Sequence, residues 1–188
     1  DPRPHKADNI EKPIDGVTYL IASVASPVLF DKLEGGNVVL WHTSSEHNQR
    51  LFRELETDAW VAGNGGNVGL RSIGLLHDLG YRDLSIYGMD CSLSPDGTQQ
   101  WAGAHAAKKD QRRIPVEDAV CCGRVFKTTR VLVSYLASFF DIKRALPDMS
   151  FTMYGDGLLQ AAFKLYVETP FTEIPFIPEN EVADVLHR

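Results

Sequence analysis

A glycine-rich turn between an apolar strand and an apolar helix sets the first limit on how this chain folds. Residues 60–70 read Trp-Val-Ala-Gly-Asn-Gly-Gly-Asn-Val-Gly-Leu. The helix-like run that follows stops at Gly80, and a strand-like run then leads to Asp90. This order predicts a βαβ unit with a polar crevice at the carboxyl ends of its strands, where open α/β sheets bind ligands.

The composition of the glycine-rich turn favours an anionic ligand. Four of the seven residues from 63 to 69 are glycine, which permits positive φ and a close approach of the backbone to a ligand. The first amides of the following helix have no intrahelical acceptor, and the helix dipole adds partial positive charge there. We therefore predict a phosphate or diphosphate site. Its predicted contacts are Gly63, Asn64, Gly65, Gly66, Asn67 and Val68. The alternative is a tight βα turn without a ligand.

Two common nucleotide motifs do not fit this segment. A dinucleotide fingerprint that begins at Gly63 needs glycine at position 68, where the chain has Val68. No Gly-Lys-Ser/Thr follows the turn, which argues against a P-loop. The usual NAD and ATP interpretations of a glycine loop are therefore weakened.

Composition narrows the class of protein. The 188 residues are 44% hydrophobic and 23% charged, which suits one soluble globular domain. A formal net charge of −6 argues against nucleic-acid binding. The chain has three cysteines, of which two are adjacent. This pattern does not suit a framework of disulfides, and it favours a reducing, cytoplasmic location. No apolar run reaches the length of a membrane span.

The order of strands and helices predicts an α/β fold, a Rossmann-like three-layer architecture with a mostly parallel sheet covered on both faces. Strands are predicted at residues 17–23, 37–42, 58–61, 83–87 and 150–154, with one more inside 116–127; helices are predicted at 26–33, 45–56 and 68–79, from Thr128 or Thr129, and after Gly157. Residues 1–16 are predicted to be irregular, and residues 88–115 to form a long polar loop that is either functional or mobile. We expect one domain over residues 1–167 and a Pro-rich tail or linker over residues 168–188.

Several short motifs then occur in an order that is typical of a known family. They are Asp1-Pro2-Arg3-Pro4, Tyr19-Leu20-Ile21-Ala22-Ser23, Leu40-Trp41-His42, residues 63–69 and Gly88-Met89-Asp90-Cys91-Ser92. Together they resemble the 6-hydroxymethylpterin diphosphokinase MptE-like family, which also includes motility accessory factors linked to flagellin glycosylation. The resemblance implies a transferase that moves diphosphate from ATP to a pterin-type alcohol. It also implies that an upstream strand and glycine-rich loop are missing from this sequence.

The chain is also similar to bacterial sialyltransferases that use a CMP-linked sugar. The shared features are a small-residue loop that opens a helix, Leu79-Gly80-Tyr81, Gly88-Met89-Asp90 and the turn Asp156-Gly157-Leu158-Leu159. Those enzymes carry a histidine just before the helix that begins here near Thr128, and this chain has none in that position. A glycosyltransferase that uses a nucleotide-activated sialic or pseudaminic acid is therefore the alternative function, and a non-catalytic accessory domain is the third.

Diphosphate transfer needs anion binding, charge neutralisation and an aligned hydroxyl group. We predict catalytic roles for Asp90 and His105, and we predict that Asp1 and Asp90 hold Mg²⁺. The further predicted ligand contacts are Ser23, His42, Ser92, Thr128, Asp156 and Gly157. Each has a structural alternative, such as a helix cap or a packed strand end. The expected partners are a nucleotide of the ATP or CMP type and a small-molecule or sugar acceptor; the sequence does not indicate an oligomeric state.

Overall fold

The computed structural model describes residues 2–43, 46–55, 61–62, 65–98 and 115–169. Contacts divide the chain into two compact units, Asp1–Asn64 and Gly65–Arg188, which we call unit 1 and unit 2. A 3-10 helix covers Pro4–Asn9, inside a segment that we predicted to be irregular. The helices are α1 (Pro27–Lys32), α2 (Glu46–Glu54), α3 (Val68–Asp78), α4 (Arg130–Ala145) and α5 (Leu158–Glu168), and the strands are β1 (Thr18–Ala22), β2 (Asn37–Thr43), β3 (Val61–Ala62), β4 (Asp83–Tyr87), β5 (Glu117–Cys121), β6 (Arg124–Thr128) and β7 (Ser150–Tyr154).

Unit 1 contains a parallel sheet with the strand order β1-β2-β3. The predicted start of α1 is confirmed, since Ser26 is its N-cap and Pro27 is the first helical residue, a position that proline favours. Lys32 at the end of α1 donates a hydrogen bond of 2.9 Å to the carbonyl of Ala7. This contact fixes α1 against the 3-10 helix.

Unit 2 is built around the parallel pair of β4 and β7. Both strands have the bounds that the sequence predicts. In their register Asp83 lies opposite Ser150 and Tyr87 lies opposite Tyr154. The two strands therefore end side by side, and the loops that follow them leave from the same edge.

Helices α4 and α5 cover one face of this strand pair. The ring of Phe139 on α4 packs edge-to-face against Phe151 of β7 and Phe163 of α5, with centroids 5.2 and 5.9 Å apart. The buried hydrophobic cluster lies wholly in unit 2 and consists of Leu70, Ile73, Ile86, Cys91, Ala119, Cys121, Phe126, Leu136, Phe139, Phe140, Ile142, Met149, Leu158, Leu159 and Ala162.

A β-hairpin replaces the single strand that we predicted inside residues 116–127. Strands β5 and β6 pair antiparallel, with Glu117 opposite Thr128 and Cys121 opposite Arg124. The connection is two residues long, and both have positive φ, 53° at Cys122 and 71° at Gly123. Two consecutive residues with positive φ form a two-residue turn whose twist matches the twist of the flanking strands. Gly123 was the available signal, but cysteine before it is an unusual partner.

Two predicted helix starts are confirmed by capping hydrogen bonds. The side chain of Asn67 caps α3, and the side chain of Thr129 accepts from Leu132 N–H to cap α4. Gly80, predicted to terminate α3, has φ +92° just beyond the helix. The last helix, α5, has Gly157 at its N-cap, so the carboxylate of Asp156 does not cap it.

Taken together, the elements make a mixed α/β protein with small, mostly parallel sheets. Among the helices in the described ranges, none combines the length and the apolarity needed to cross a membrane.

Candidate functional site

The edge of unit 2 at which β4 and β7 end carries most of the predicted ligand contacts. We define the rim as residues 65–69, which lead into α3, residues 88–92 after β4, and residues 155–157 after β7. A methyl group at Gly69 would lie 2.8 Å from Met89 Cε and 3.3 Å from Asn67 Oδ1. The first turn of α3 therefore lies directly against the loop that carries Asp90.

The start of α3 exposes backbone donors. Asn67 Oδ1 accepts a hydrogen bond of 3.0 Å from Leu70 N–H, and the Asn67 carbonyl accepts from Arg71 N–H at 3.1 Å. Within the described ranges, the N–H groups of Val68 and Gly69 have no acceptor. Val68 itself is 78% exposed. These two amides at the positive end of the helix dipole are suited to an anion.

Two glycines of the turn are required by packing, whatever the turn binds. Gly65 has φ +119°, and a methyl group there would lie 2.5 Å from Leu70 Cβ. At Gly66 a methyl group would lie 2.4 Å from Tyr135 Cε1 on α4. The glycine content of this turn is thus explained in part by the close approach of the turn to α3 and α4. It is weaker support for a ligand than the sequence alone suggests.

Arg71 adds a cation that the sequence analysis missed. Its Nε donates a hydrogen bond of 2.9 Å to the carbonyl of Gly65, so the partly buried guanidinium lies beside the turn. No carboxylate pairs with it in the part of the chain that the structure describes. Its position four residues after Asn67, in the helix that follows a glycine turn, was the signal available in the sequence.

Asp90 is held by its main chain, whereas its carboxylate is available. The Asp90 carbonyl accepts a hydrogen bond of 3.0 Å from Leu159 N–H in α5. A methyl group at Gly157 would lie 2.4 Å from Asp90 Cβ, and one at Gly155 would lie 2.8 Å from Asp90 Oδ1. Among the described residues the Asp90 carboxylate has no hydrogen-bond or ion-pair partner. Both glycines therefore let the β7 loop pack tightly around a carboxylate that a ligand can use.

The N-terminus of α5 is closed, in contrast to that of α3. Gly157 N–H donates to Gln160 Oε1 at 3.0 Å, Leu158 N–H to Ser92 Oγ at 3.4 Å, and Leu159 N–H to the Asp90 carbonyl at 3.0 Å. Protein acceptors therefore already hold these three amides, which are otherwise the open donors of a helix start. Ligand contacts by Ser92 and Gly157 stay a prediction, and the observed bonds give both residues a structural role.

Asp156, another predicted contact, forms a two-pronged ion pair with Arg124. The guanidinium nitrogens lie 2.6 and 2.9 Å from the two carboxylate oxygens. Hydrogen bonding from Arg124 lowers the pKa of Asp156 below its ordinary value. The guanidinium also lies 4.7 Å from the centroid of the Phe126 ring. The pair ties the β7 loop to the hairpin, and a ligand contact by Asp156 stays a prediction.

Thr128 is fully buried, and its hydroxyl group donates a hydrogen bond of 2.9 Å to the carbonyl of Cys91. This bond links β6 to the loop after β4, so Thr128 helps to hold that part of the rim in place. The predicted ligand contact by Thr128 stays a prediction. Cys91 is also buried, and burial raises its pKa to about 12. Its thiol is therefore protonated at neutral pH.

Two predicted contacts, Ser23 and His42, lie in unit 1. Ser23 directly follows β1, and His42 lies near the end of the neighbouring strand β2. His42 Nδ1 and Ser23 Oγ are 2.8 Å apart, within hydrogen-bond distance. The imidazole packs against the ring of Phe52 with centroids 4.4 Å apart. The parallel arrangement that we predicted for these strands therefore brings the two side chains together.

The remaining predicted site residues, Asp1, Gly63, Asn64 and His105, lie outside the described residues. In the described ranges no group of three or more His, Cys, Asp or Glu side chains forms a cluster suited to a metal. The single carboxylate of Asp90 is compatible with a Mg²⁺ site, because Mg²⁺ commonly takes one or two carboxylates and completes its shell with phosphate oxygens and water.

The rim brings together backbone amides, a guanidinium and a carboxylate that has no partner among the described residues, and this combination is suited to a phosphate group. In comparisons with known proteins, no family model matches the chain, and no curated protein or solved structure matches it significantly.

Proposed function

We propose that this chain is a nucleotide-dependent transferase whose phosphate-binding site is the rim of unit 2. One observation carries the proposal: the amides of Val68 and Gly69 and the carboxylate of Asp90, none of which has a partner among the described residues, lie on the same edge. Arg71 adds positive charge to that edge. Phosphoryl and diphosphoryl transfer depends mainly on positioning and charge stabilisation, and these groups supply both.

Within this proposal the reaction is diphosphate transfer from ATP to a pterin-type alcohol, which the sequence motifs suggest. The α3 amides and Arg71 bind the phosphates, and Asp90 binds Mg²⁺ or orients the acceptor hydroxyl group. Bound Mg²⁺ would neutralise charge on the phosphates. A Rossmann-like arrangement of the complete sheet belongs to the same proposal, as does a cytoplasmic location.

Calorimetry of the full chain with ATP and with CMP, each with and without Mg²⁺, tests the proposal. We expect ATP to bind, and we expect Mg²⁺ to strengthen its binding in the wild type but not in Asp90→Asn. Asp141→Asn is the matched control, because Asp141 pairs with Arg144 on the exposed face of α4. This variant removes one carboxylate outside the rim, so it should keep both ATP binding and its strengthening by Mg²⁺.

The other outcomes are equally informative. Binding of CMP without a metal, and no binding of ATP, would replace diphosphate transfer by sugar transfer from a CMP-linked donor. Failure to bind either nucleotide would overturn the proposal and leave an accessory domain. Equal nucleotide affinity in Arg71→Gln and the wild type would remove the rim as the site.

A further inference from the structure

We propose that Ser23 and His42 form a nucleophile–base pair that accepts an acyl group from an activated ester. The pair lies in unit 1, and the proposal does not depend on nucleotide binding by unit 2. It goes beyond a ligand contact, because it assigns a covalent step to the Ser23 hydroxyl group.

The first support is the geometry of the pair. A serine hydroxyl is a weak nucleophile until a neighbouring base takes its proton, and such a base must lie about 2.6–3.2 Å from the oxygen. The observed separation of His42 Nδ1 and Ser23 Oγ is 2.8 Å. Both residues are partly exposed, and we expect a small ester to reach them.

The second support is the way in which the surrounding residues hold each member. Ser23 N–H donates a hydrogen bond of 2.8 Å to the Trp41 carbonyl, which fixes the serine backbone beside β2. The Phe52 ring packs on the imidazole of His42 and limits its rotation. A base that keeps its orientation in the absence of substrate is the arrangement that general base catalysis needs.

The third support is the position of Ser23 between a strand and a helix. Ser23 follows β1 and precedes α1, so its hydroxyl group lies at the carboxyl end of a parallel strand. The next residue, Val24, is 44% exposed, and its N–H has no acceptor among the described residues. The amide that follows a serine nucleophile at a strand–helix turn is a common donor to the oxyanion of the tetrahedral intermediate.

The step balances without any further reactant. Ser23 Oγ bonds to the carbonyl carbon of the ester while its proton moves to His42 Nδ1. The carbon–oxygen bond to the leaving group then breaks, and the leaving group departs with the electron pair. With p-nitrophenyl acetate as the probe, the products are acetyl-Ser23 and p-nitrophenolate, and the proton passes from His42 to solvent.

The experiment mixes the full chain with p-nitrophenyl acetate, follows p-nitrophenolate release and locates the acetyl group by peptide mass spectrometry. We expect a burst of one equivalent per chain and one acetyl group on Ser23. Ser23→Ala should abolish the burst. His42→Gln keeps a hydrogen-bonding side chain without a basic ring nitrogen, and it should slow the burst by about a hundredfold or more.

Two control variants separate this role from a structural one. Ser138→Ala removes an exposed hydroxyl group that bonds to Ser134 within α4, and His77→Gln removes an imidazole that bonds to Asp148. Both should keep the full burst. The proposal is overturned if acetylation occurs away from Ser23, or if His42→Gln reacts as fast as the wild type while its thermal unfolding is unchanged.

Discussion

Asn67 has two separable roles at the start of α3. Its side-chain oxygen holds Leu70 N–H, and its position directly precedes the two open amides of the rim. An N-cap of this kind contributes about 1 kcal/mol to the free energy of unfolding. The same residue therefore affects both the stability of the helix and the electrostatics of the phosphate site that we propose.

We predict that Asn67→Ala lowers the free energy of unfolding by about 1 kcal/mol. Asn67→Asp retains a capping oxygen and should keep the wild-type stability, because a carboxylate also suits the positive end of the dipole. Its charge should nevertheless weaken ATP binding by about tenfold or more through repulsion. Urea denaturation and calorimetry measure the two effects; equal ATP affinity in Asn67→Asp and the wild type would contradict the assignment.

The thiols differ in their environment, and this predicts an order of reactivity. Burial raises the pKa of Cys91 and of Cys121 to about 12, whereas Cys122 is exposed at the hairpin turn. A raised pKa keeps the thiol protonated at neutral pH, and only the thiolate reacts readily. We expect iodoacetamide to modify Cys122 first. Time-resolved mass spectrometry measures this, and Cys122→Ser should lose the fast phase; fast modification of Cys91 in the folded protein would contradict the prediction.

The β5–β6 hairpin turns through two consecutive residues with positive φ. Cys122 adopts a positive φ that L-residues other than asparagine and aspartate seldom adopt, and Gly123 supplies the second one. The turn also places Arg124 where it pairs with Asp156. A hairpin that is well formed therefore also holds one side of the rim.

We predict that Cys122→Asn raises the free energy of unfolding by several tenths of a kcal/mol, because asparagine tolerates the left-handed conformation. Cys122→Ala is the matched control: it removes the same thiol but has no such preference, so it should not gain stability. Gly123→Ala should lose roughly 1–2 kcal/mol, since the new methyl group meets open space and only backbone strain acts. Urea denaturation ranks the three variants; a loss of stability in Cys122→Asn relative to Cys122→Ala would refute the prediction.

The elements differ in how far the sequence predicts them, and the reasons are physical. Strands β4 and β7 are short segments in which polar and apolar residues alternate, so their limits are readable from periodicity. The hairpin is not, because Glu117 and Asp118 begin it and its turn lacks an Asn-Gly or Asp-Gly pair. The burial of Thr128, a predicted ligand contact, was not readable from the sequence, since its partner Cys91 is 37 residues away in the chain.

Within the rim, contacts between neighbouring residues were predictable from the sequence, and contacts between distant segments were not. The cap by Asn67 is local and was predictable from four consecutive residues. The closure of α5 by Ser92 and Asp90 depends on two segments that are distant in sequence, and so does the ion pair of Asp156 with Arg124. Periodicity and motif spacing carry no information about such pairings, so the sequence alone suggested free groups where the fold has bonded ones.

The two units bury very different amounts of apolar surface. The hydrophobic cluster of unit 2 draws on α3, α4, α5, β4, β5 and β6, and partly buried side chains of β7 pack against it. In the described part of unit 1, the buried hydrophobic side chains are Ala7, Leu33 and Trp41. Since apolar burial is the main source of folding free energy, unit 2 holds most of the stability that the described residues provide.

We therefore predict that a fragment of Gly65–Arg188 folds cooperatively, whereas a fragment of Asp1–Asn64 does not. Circular dichroism during urea denaturation should give a sigmoidal transition for the first fragment and a gradual change for the second. The nucleotide affinity proposed for the rim should be retained by Gly65–Arg188. A fragment Gly65–Arg188 without a cooperative transition would show that unit 1 is required for folding.

Asp90 uses its carbonyl oxygen to start α5 and leaves its carboxylate unengaged among the described residues. Any amino acid of similar size at this position keeps the peptide group that α5 needs. A substitution here can thus change the charge that the rim presents, or remove it, without disturbing the scaffold beneath it.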